Sequence, residues 1–123
     1  MPGSLPVRQG TVPVVESWDL TAVATPGGNR SPVVLYSDNE ARVVLIGLEP
    51  GQELGEHEVK ENAFLVVVDG VVQVAAGGQT IDAGAGTLVR FDPEERHAVS
   101  SRDGARLLLL LAPWPGKGHY RDD

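Results

Sequence analysis

Two of the three histidines, His57 and His97, are the residues of this sequence best suited to carry chemistry. A neutral imidazole can ligate a divalent metal, or it can act as a general base near neutral pH. Each of these histidines lies beside a valine-rich segment of the kind that forms strands. The sequence contains no cysteine, no G-x-S-x-G elbow and no phosphate-binding glycine loop. A cysteine nucleophile is therefore excluded, and serine hydrolase chemistry and the common nucleotide-binding loops have no support in the sequence.

The residues around the two histidines resemble the two sequence motifs of the cupin superfamily. The first motif has the pattern G-x5-H-x-H-x3,4-E-x6-G. Gly51, His57 and Gly70 of this sequence stand at its first glycine, its first histidine and its last glycine. The second motif is a glycine, five residues, Pro-x-Gly, two residues and a histidine, and Gly86 and His97 match its ends. This resemblance implies a small antiparallel β-barrel, of the double-stranded β-helix or jelly-roll type.

The first motif departs from the family at two of the positions that hold a metal. Cupins usually bind a divalent ion with three histidines and one glutamate, but Val59 stands at the second histidine position and Ala63 at the glutamate position. His57 and His97 remain as candidate metal ligands. Two imidazoles form a weak ligand set for zinc, nickel, manganese or iron, although they can capture nickel or zinc during purification. Glu61, in a predicted turn, is the carboxylate that could add a third ligand.

The second motif departs from the family at its turn. Asp92 replaces the proline of the motif, and Glu94 replaces its glycine. Because glycine often occupies positions that require a positive φ, the sequence leaves the conformation of this turn open.

The same motif positions predict a ligand pocket inside the barrel, lined by His57, Val59, Ala63, Arg90 and His97. Small apolar side chains would give the pocket an apolar floor with room for a neutral ligand. Arg90 would meet an anionic group if it pointed inward, but a surface position is the simpler interpretation. The sequence thus favours a module that binds a small organic molecule with weak or no metal binding.

Two alternatives remain open for the function. One is a metal-dependent cupin enzyme, of the oxygenase or isomerase type, that uses His57 and His97. The other is a metal-free enzyme in which one of these histidines acts as a general base. A third metal ligand would favour the first alternative, and a carboxylate partner for a histidine would favour the second.

Glycine and proline punctuate the chain so often that no stretch longer than fourteen residues lacks both. Long helices are therefore disfavoured, and the valine-rich segments between these residues predict an all-β fold. Residues that tolerate a positive φ predict turns at 37–40, 69–70, 77–78 and 102–104. The predicted strands are Pro32–Tyr36, Ala41–Leu48, Ala63–Val68, Val71–Ala75, Gln79–Asp82, Thr87–Phe91, His97–Ser100 and Ala105–Leu111.

The 123 residues carry ten Lys and Arg against seventeen Asp and Glu, a net charge of −7, and they fit a single domain. We expect a barrel over residues 17–112, an N-terminal extension at 1–16 and a C-terminal tail at 113–123. The acidic balance argues against nucleic acid or membrane as a partner. The lack of cysteine and of a signal-like N-terminus is typical of a cytoplasmic protein. Both faces of the segment 64–68 are apolar, so the second face must be covered either by another layer or by a second subunit, and on this ground we expect a homodimer.

Overall fold

The computed structural model describes residues 15–25, 32–57 and 59–116, and its side chains are described except those of 55–57. This part of the chain forms eight strands, and all of their pairings are antiparallel. The strands are β1 (Val33–Ser37), β2 (Arg42–Leu48), β3 (Glu53–His57), β4 (Asn62–Ala76), β5 (Gln79–Gly84), β6 (Leu88–Phe91), β7 (His97–Ser100) and β8 (Ala105–Ala112). The all-β antiparallel prediction is confirmed. No helix in the described residues is long and apolar enough to span a bilayer.

The strands form two layers that share β4. The five-stranded layer has the order β1-β2-β8-β4-β6, and the four-stranded layer has the order β5-β4-β7-β3. The first half of β4 pairs with β8 and β6, whereas its second half pairs with β5 and β7. The sheet therefore curls around a core that receives side chains from both layers.

The sequence predicted two strands and a hairpin turn where the structure has the single strand β4. The prediction was wrong at Asp69 and Gly70, which lie inside the strand, where a register irregularity lets the chain pass from one layer to the other. Gly70 has a φ of 85°, and its backbone lies against Gly104 and Ala105 at the start of β8. A residue with a side chain fits neither that conformation nor that space.

The core follows the alternation of side chains that β-strands impose. Along β4 the buried positions Ala63, Leu65 and Val67 alternate with partly exposed ones, and Val72 and Val74 continue the inner row in the second layer. Other strands add core residues of the same apolar kind: Val44, Ile46, Leu48, Ala83, Phe91, Val99, Leu107 and Leu111.

Strand β3 was missing from the sequence prediction. Its sequence, ELGEH, has one large apolar residue, Leu54, beside two glutamates and a glycine, so it lacks the pattern that identifies a strand. It pairs with β7 at the edge of the four-stranded layer. An edge strand has a neighbour on one side only, so it needs fewer apolar side chains than a central strand does.

The segments next to the barrel are attached to it by specific contacts. The guanidinium group of Arg106 donates hydrogen bonds to the carbonyl oxygens of Leu20 and Val23, which ties residues 19–25 to β8. At the other end of the chain Trp114 packs against the core, and Arg42 lies 4.8 Å from the centre of its indole ring. The predicted extension at 1–16 lies almost entirely outside the described residues.

Candidate functional site

His97 lies at the start of β7 with only 4% of its surface exposed. Its ring stacks on Phe91, with ring centres 3.9 Å apart and an angle of 6° between the planes. Its Nδ1 atom lies 3.0 Å from the carbonyl oxygen of Glu95, a contact in which Nδ1–H is the donor when the ring is neutral. In that tautomer Nε2 carries the free lone pair of the ring, and a nitrogen in this state can accept a hydrogen bond or ligate a metal.

A cavity of about 190 Å³ lies beside His97, between β5 and β6, where the edges of the two layers meet. Three of its lining residues are neighbours of His97: Phe91 stacks on the ring, Glu95 accepts its hydrogen bond, and Ala76 is its cross-strand partner. The wall is mainly apolar, formed by Val74, Ala76, Ile81, Val89 and Phe91, and the polar lining residues are Gln79, Arg90 and Glu95.

The structure places the predicted pocket residues in different surroundings. The backbone of His57 pairs with that of His97 across β3 and β7, but the side chain of His57 lies outside the described residues. Val59 packs against the core and Ala63 is buried within it, and neither is among the residues that line the cavity. Of the predicted pocket residues whose side chains are described, Arg90 lines the cavity, and His97 does not, although Phe91 and Glu95 connect it to the lining.

Arg90 is on β6 at the rim of the cavity, with 48% of its side chain exposed. It pairs with Phe64, which belongs to the outer side of β4, so its side chain starts from the outer face of the layer. The guanidinium group binds the Asp92 carboxylate at 2.7 Å and the Asn62 side-chain oxygen at 3.1 Å. These contacts agree with the surface position that the sequence favoured.

The comparisons with known proteins identify the family. The sequence model described as a cupin domain matches residues 44–112, which is more than half of the chain. The chain belongs to the cupin family. No curated protein matches the sequence.

Solved structures, two of them described as cupins, have a similar fold at low sequence identity. A cupin superfamily protein from Desulfitobacterium hafniense is 15% identical with a TM-score of 0.72, over 86% of this chain and 98% of that one. A conserved protein of unknown function from Streptococcus pyogenes is 19% identical with a TM-score of 0.70, over 82% and 90% of the two chains. An RmlC-like cupin from Shewanella frigidimarina is 22% identical with a TM-score of 0.69, over 79% and 88%. At these identities the similarity establishes the cupin fold.

Many cupins hold a metal, but the described side chains of this chain do not form such a centre. Among them, no three His, Cys, Asp or Glu residues are grouped closely enough to hold an ion. Glu61, the carboxylate that could have added a ligand, is fully buried, and its Oε2 accepts a hydrogen bond of 2.7 Å from the N–H of Gly116. Glu61 therefore takes part in fixing the C-terminal segment to the barrel.

In the turn of the second cupin motif, Glu94 stands at the glycine position and has the left-handed backbone conformation that glycine adopts most easily. Glu94 has a φ of 68°, and it is the only non-glycine residue with a positive φ in the described part of the chain. Its N–H donates a hydrogen bond of 2.6 Å to the carbonyl oxygen of Val59. Its carboxylate lies 3.4 Å from Lys60 Nζ and is largely exposed. The turn thus joins the two motifs, but it does so in a conformation that is unfavourable for a residue with a Cβ.

We expect the substitution Glu94→Gly to raise the free energy of unfolding by about 0.5–1 kcal/mol. Glycine removes the strain of the left-handed backbone conformation, and this gain is larger than the loss that comes from the greater conformational entropy of glycine in the unfolded chain. The lost ion pair with Lys60 is exposed and contributes little. Chemical denaturation measures the change. The control is Glu53→Gly, an exposed glutamate in β3 without a positive φ, which should lower the stability. A loss of stability in Glu94→Gly as large as in the control would contradict the strain at this turn.

The cavity wall was missing from the sequence analysis. Ile81, Val89 and Phe91 resemble any other apolar strand residues, and nothing in their local sequence distinguishes a cavity wall from the core. Their position depends on which strand edges meet, and that follows from the pairing of β4 with both β5 and β6. The one usable signal was the position of Phe91, six residues before His97 and within the span of the second motif.

Proposed function

We propose that this cupin binds a small organic molecule, with an apolar body and one polar end, in the cavity between β5 and β6. The observation that carries the proposal is the mainly apolar cavity, whose lining includes Phe91 and Glu95, the two residues that hold the buried imidazole of His97. Binding sites of this kind combine an apolar wall with a few oriented polar groups.

The cavity limits the size and polarity of the ligand. Its volume of about 190 Å³ is below the range of about 300–1,000 Å³ that is typical of sites for drug-sized ligands. The apolar wall favours a neutral body, such as a short aliphatic chain or a single ring. The polar end of the ligand would meet Gln79, Arg90 or Glu95, the polar residues of the lining. We expect His57, the strand partner of His97, to provide a further polar contact.

The substitution Ile81→Trp should abolish binding, because Ile81 is a partly exposed cavity residue and a larger ring at this position would fill the space. Binding can be measured by NMR with 15N-labelled protein, using a set of neutral alcohols and phenols as probes. Val71→Trp is the matched control, since Val71 is similarly exposed on the same pair of strands but is not among the lining residues. Probe binding that survives in Ile81→Trp, or shifts that cluster away from His97, would overturn the proposal.

A metal-dependent cupin enzyme is the second candidate. The observation in its favour is the strand register, which sets the backbone of His57 opposite that of His97, the two motif histidines. Metal analysis by mass spectrometry separates the two candidates, with untagged protein titrated with manganese, iron, nickel and zinc. A nearly stoichiometric metal that survives dialysis against a chelator and is lost in His57→Ala would replace the first proposal. Weak or reversible metal binding in both the wild-type protein and His57→Ala would support the first proposal, the binding of a small organic molecule.

A further inference from the structure

The three polar residues that line the cavity between β5 and β6 differ in what they offer a ligand. Gln79 is exposed, and its amide can both donate and accept, so it does not select one class of polar group. Arg90 carries a positive charge and Glu95 a negative one. The chemistry of the ligand's polar end therefore depends on which of these two charges is available to it.

The guanidinium group of Arg90 already has a counter-charge outside the cavity. Its Nη2 donates a hydrogen bond of 2.7 Å to Asp92 Oδ1, and its Nη1 donates one of 3.1 Å to Asn62 Oδ1. An anionic ligand would have to compete with the Asp92 carboxylate for this group. Arg90 is therefore a poor anchor for a ligand that carries a carboxylate or a phosphate.

Glu95 is held in place by contacts within its own turn. Its N–H donates a hydrogen bond of 3.1 Å to the carbonyl oxygen of Asp92, and its Oε1 accepts one of 2.9 Å from the N–H of Asp92. Its carbonyl oxygen lies 3.0 Å from Nδ1 of His97. The backbone and one carboxylate oxygen are thus fixed in the absence of a ligand. A group that is already oriented loses little conformational entropy when a ligand binds.

The second carboxylate oxygen of Glu95, Oε2, reaches the β4–β5 hairpin. It lies 4.0 Å from the position that a Cβ on Gly77 would take, close in the chain to the lining residues Ala76 and Gln79. Within the described part of the chain, no residue donates a hydrogen bond to Oε2. This oxygen is therefore the acceptor that the cavity offers to a ligand.

The turn before β7 contains three carboxylates, and two of them are paired with cations. Asp92 lies 2.7 Å from Arg90, and Glu94 lies 3.4 Å from Lys60. Among the described residues, no cation forms such an ion pair with Glu95. Glu95 is thus the carboxylate of this turn whose charge a ligand could match.

Arg96 follows Glu95 in the chain, but its side chain lies on the other side of the four-stranded layer. It lines a second cavity together with Ala75 and Ala98, which are cross-strand partners. Ala75 alternates with the core residue Val74, so this second cavity is on the outer face of the layer. Arg96 is not among the residues that line the cavity between β5 and β6.

We propose that the ligand of the cavity between β5 and β6 is a small primary amine, whose ammonium group binds Oε2 of Glu95. This inference rests on the proposed function, which places a small organic molecule in the cavity. The apolar body of the amine would contact Ile81, Val89 and Phe91.

The chemistry of the carboxylate is the reason for an ammonium group. A carboxylate accepts hydrogen bonds and cannot donate them, so a carboxylate or ketone on the ligand would find no donor at Glu95. An ammonium group has three donors and also supplies the counter-charge. Hydrogen bonds between charged groups are roughly twice as strong as those between neutral groups. The net charge of −7 on the chain further favours the approach of a cation over that of an anion.

Three probes with the same ring test the proposal: benzylamine, benzyl alcohol and benzoate, each titrated by NMR into the 15N-labelled full chain. Benzylamine should bind at least about fivefold more tightly than benzyl alcohol, and benzoate at least about tenfold more weakly than benzyl alcohol. The shifted amides should lie in β5, in β6 and at residues 76–79. Equal affinities for benzylamine and benzyl alcohol, or a preference for benzoate, would overturn the proposal.

The substitution Glu95→Gln tests the anchor itself. Glutamine keeps an oxygen that can accept the N–H of Asp92, but it removes the charge. The affinity for benzylamine should fall at least about fivefold, to that for benzyl alcohol. Glu94→Gln is the matched control, because Glu94 is an exposed carboxylate of the same turn that does not line the cavity, and this variant should bind benzylamine as the wild type does. Unchanged binding of benzylamine by Glu95→Gln would refute Glu95 as the anchor.

Ionic strength gives a second readout that requires no variant. Raising the salt concentration from about 0.01 M to about 0.15 M should weaken the binding of benzylamine and leave that of benzyl alcohol unchanged, because salt screens a partly exposed pair of charges. The failure of this inference is distinguishable from that of the proposed function. If both probes bind in the cavity with equal affinity, the amine is refuted and the proposed function stands. If no probe binds in the cavity, both are refuted.

Discussion

Replacing Gly70 with alanine is expected to lower the free energy of unfolding by about 3 kcal/mol or more, from the sum of backbone strain and overpacking. Gly70 has a φ of 85°, in the region that residues with a Cβ rarely adopt. A Cβ at this position would overlap the carbonyl oxygen of Gly104 and lie 2.9 Å from the Cα of Ala105. Both obstacles are backbone atoms of β8 or of the turn before it, so no side-chain rotation can relieve them. Urea denaturation followed by circular dichroism measures the loss.

Gly51→Ala is the matched control for this substitution. Gly51 has nearly the same φ, 83°, but no atom lies within 4 Å of the position that its Cβ would take. Its substitution should cost only the strain of the left-handed conformation, about 1 kcal/mol. Equal losses in the two variants would show that the close approach of β4 to β8 at Gly70 contributes nothing.

Replacing Gly116 with alanine is expected to lower the free energy of unfolding by about 2–3 kcal/mol, because overpacking and the loss of a buried hydrogen bond act together. A Cβ on Gly116 would lie 2.5 Å from the carbonyl oxygen of Lys60 and 3.2 Å from Glu61 Cγ. The segment would have to move away, and the N–H that now binds the buried Glu61 carboxylate would move with it. Thermal and urea denaturation measure the change.

Gly84→Ala provides the comparison for Gly116. Gly84 lies in β5 without a positive φ, and the nearest atom to its Cβ would be Val71 Cγ2 at an ordinary 4.0 Å. This control should change the stability by no more than about 0.5 kcal/mol. If Gly116→Ala were equally neutral, the C-terminal segment would not be part of the cooperative fold.

Most strands could be predicted from the sequence because the residues that favour a strand, and the turn residues that bound it, are neighbours in the chain. Runs of apolar and β-branched residues between turn residues identified eight segments that became strands or halves of a strand, and one of them, His97–Ser100, was predicted with its observed bounds. The failure at Asp69–Gly70 has a physical reason. Asp-Gly between two apolar runs is a strong hairpin signal, but whether β4 turns or continues depends on β6, β7 and β8, which come later in the chain.

The candidate site could be predicted only where one residue carried the information. The motif spacing predicted His97 as a pocket residue; the structure buries it next to the cavity residues Phe91 and Glu95, and it is not itself among the lining residues. The contact between Glu61 and Gly116 joins residues that are 55 positions apart, and no pattern near either residue indicates it. The cavity is likewise formed by edges of two layers, so its wall could not be read from any one segment.

The position of β8 has a consequence for biosynthesis. This strand, the last within the described residues, lies between β2 and β4 and pairs with both of them along most of its length. A nascent chain that has emerged only as far as β7 therefore lacks the central strand of its larger layer, and the apolar sides of β2 and β4 have nothing to pair with. The larger layer therefore cannot close until β8 has been synthesised, and the pairing of β2 with β4 through β8 is among the late steps of folding.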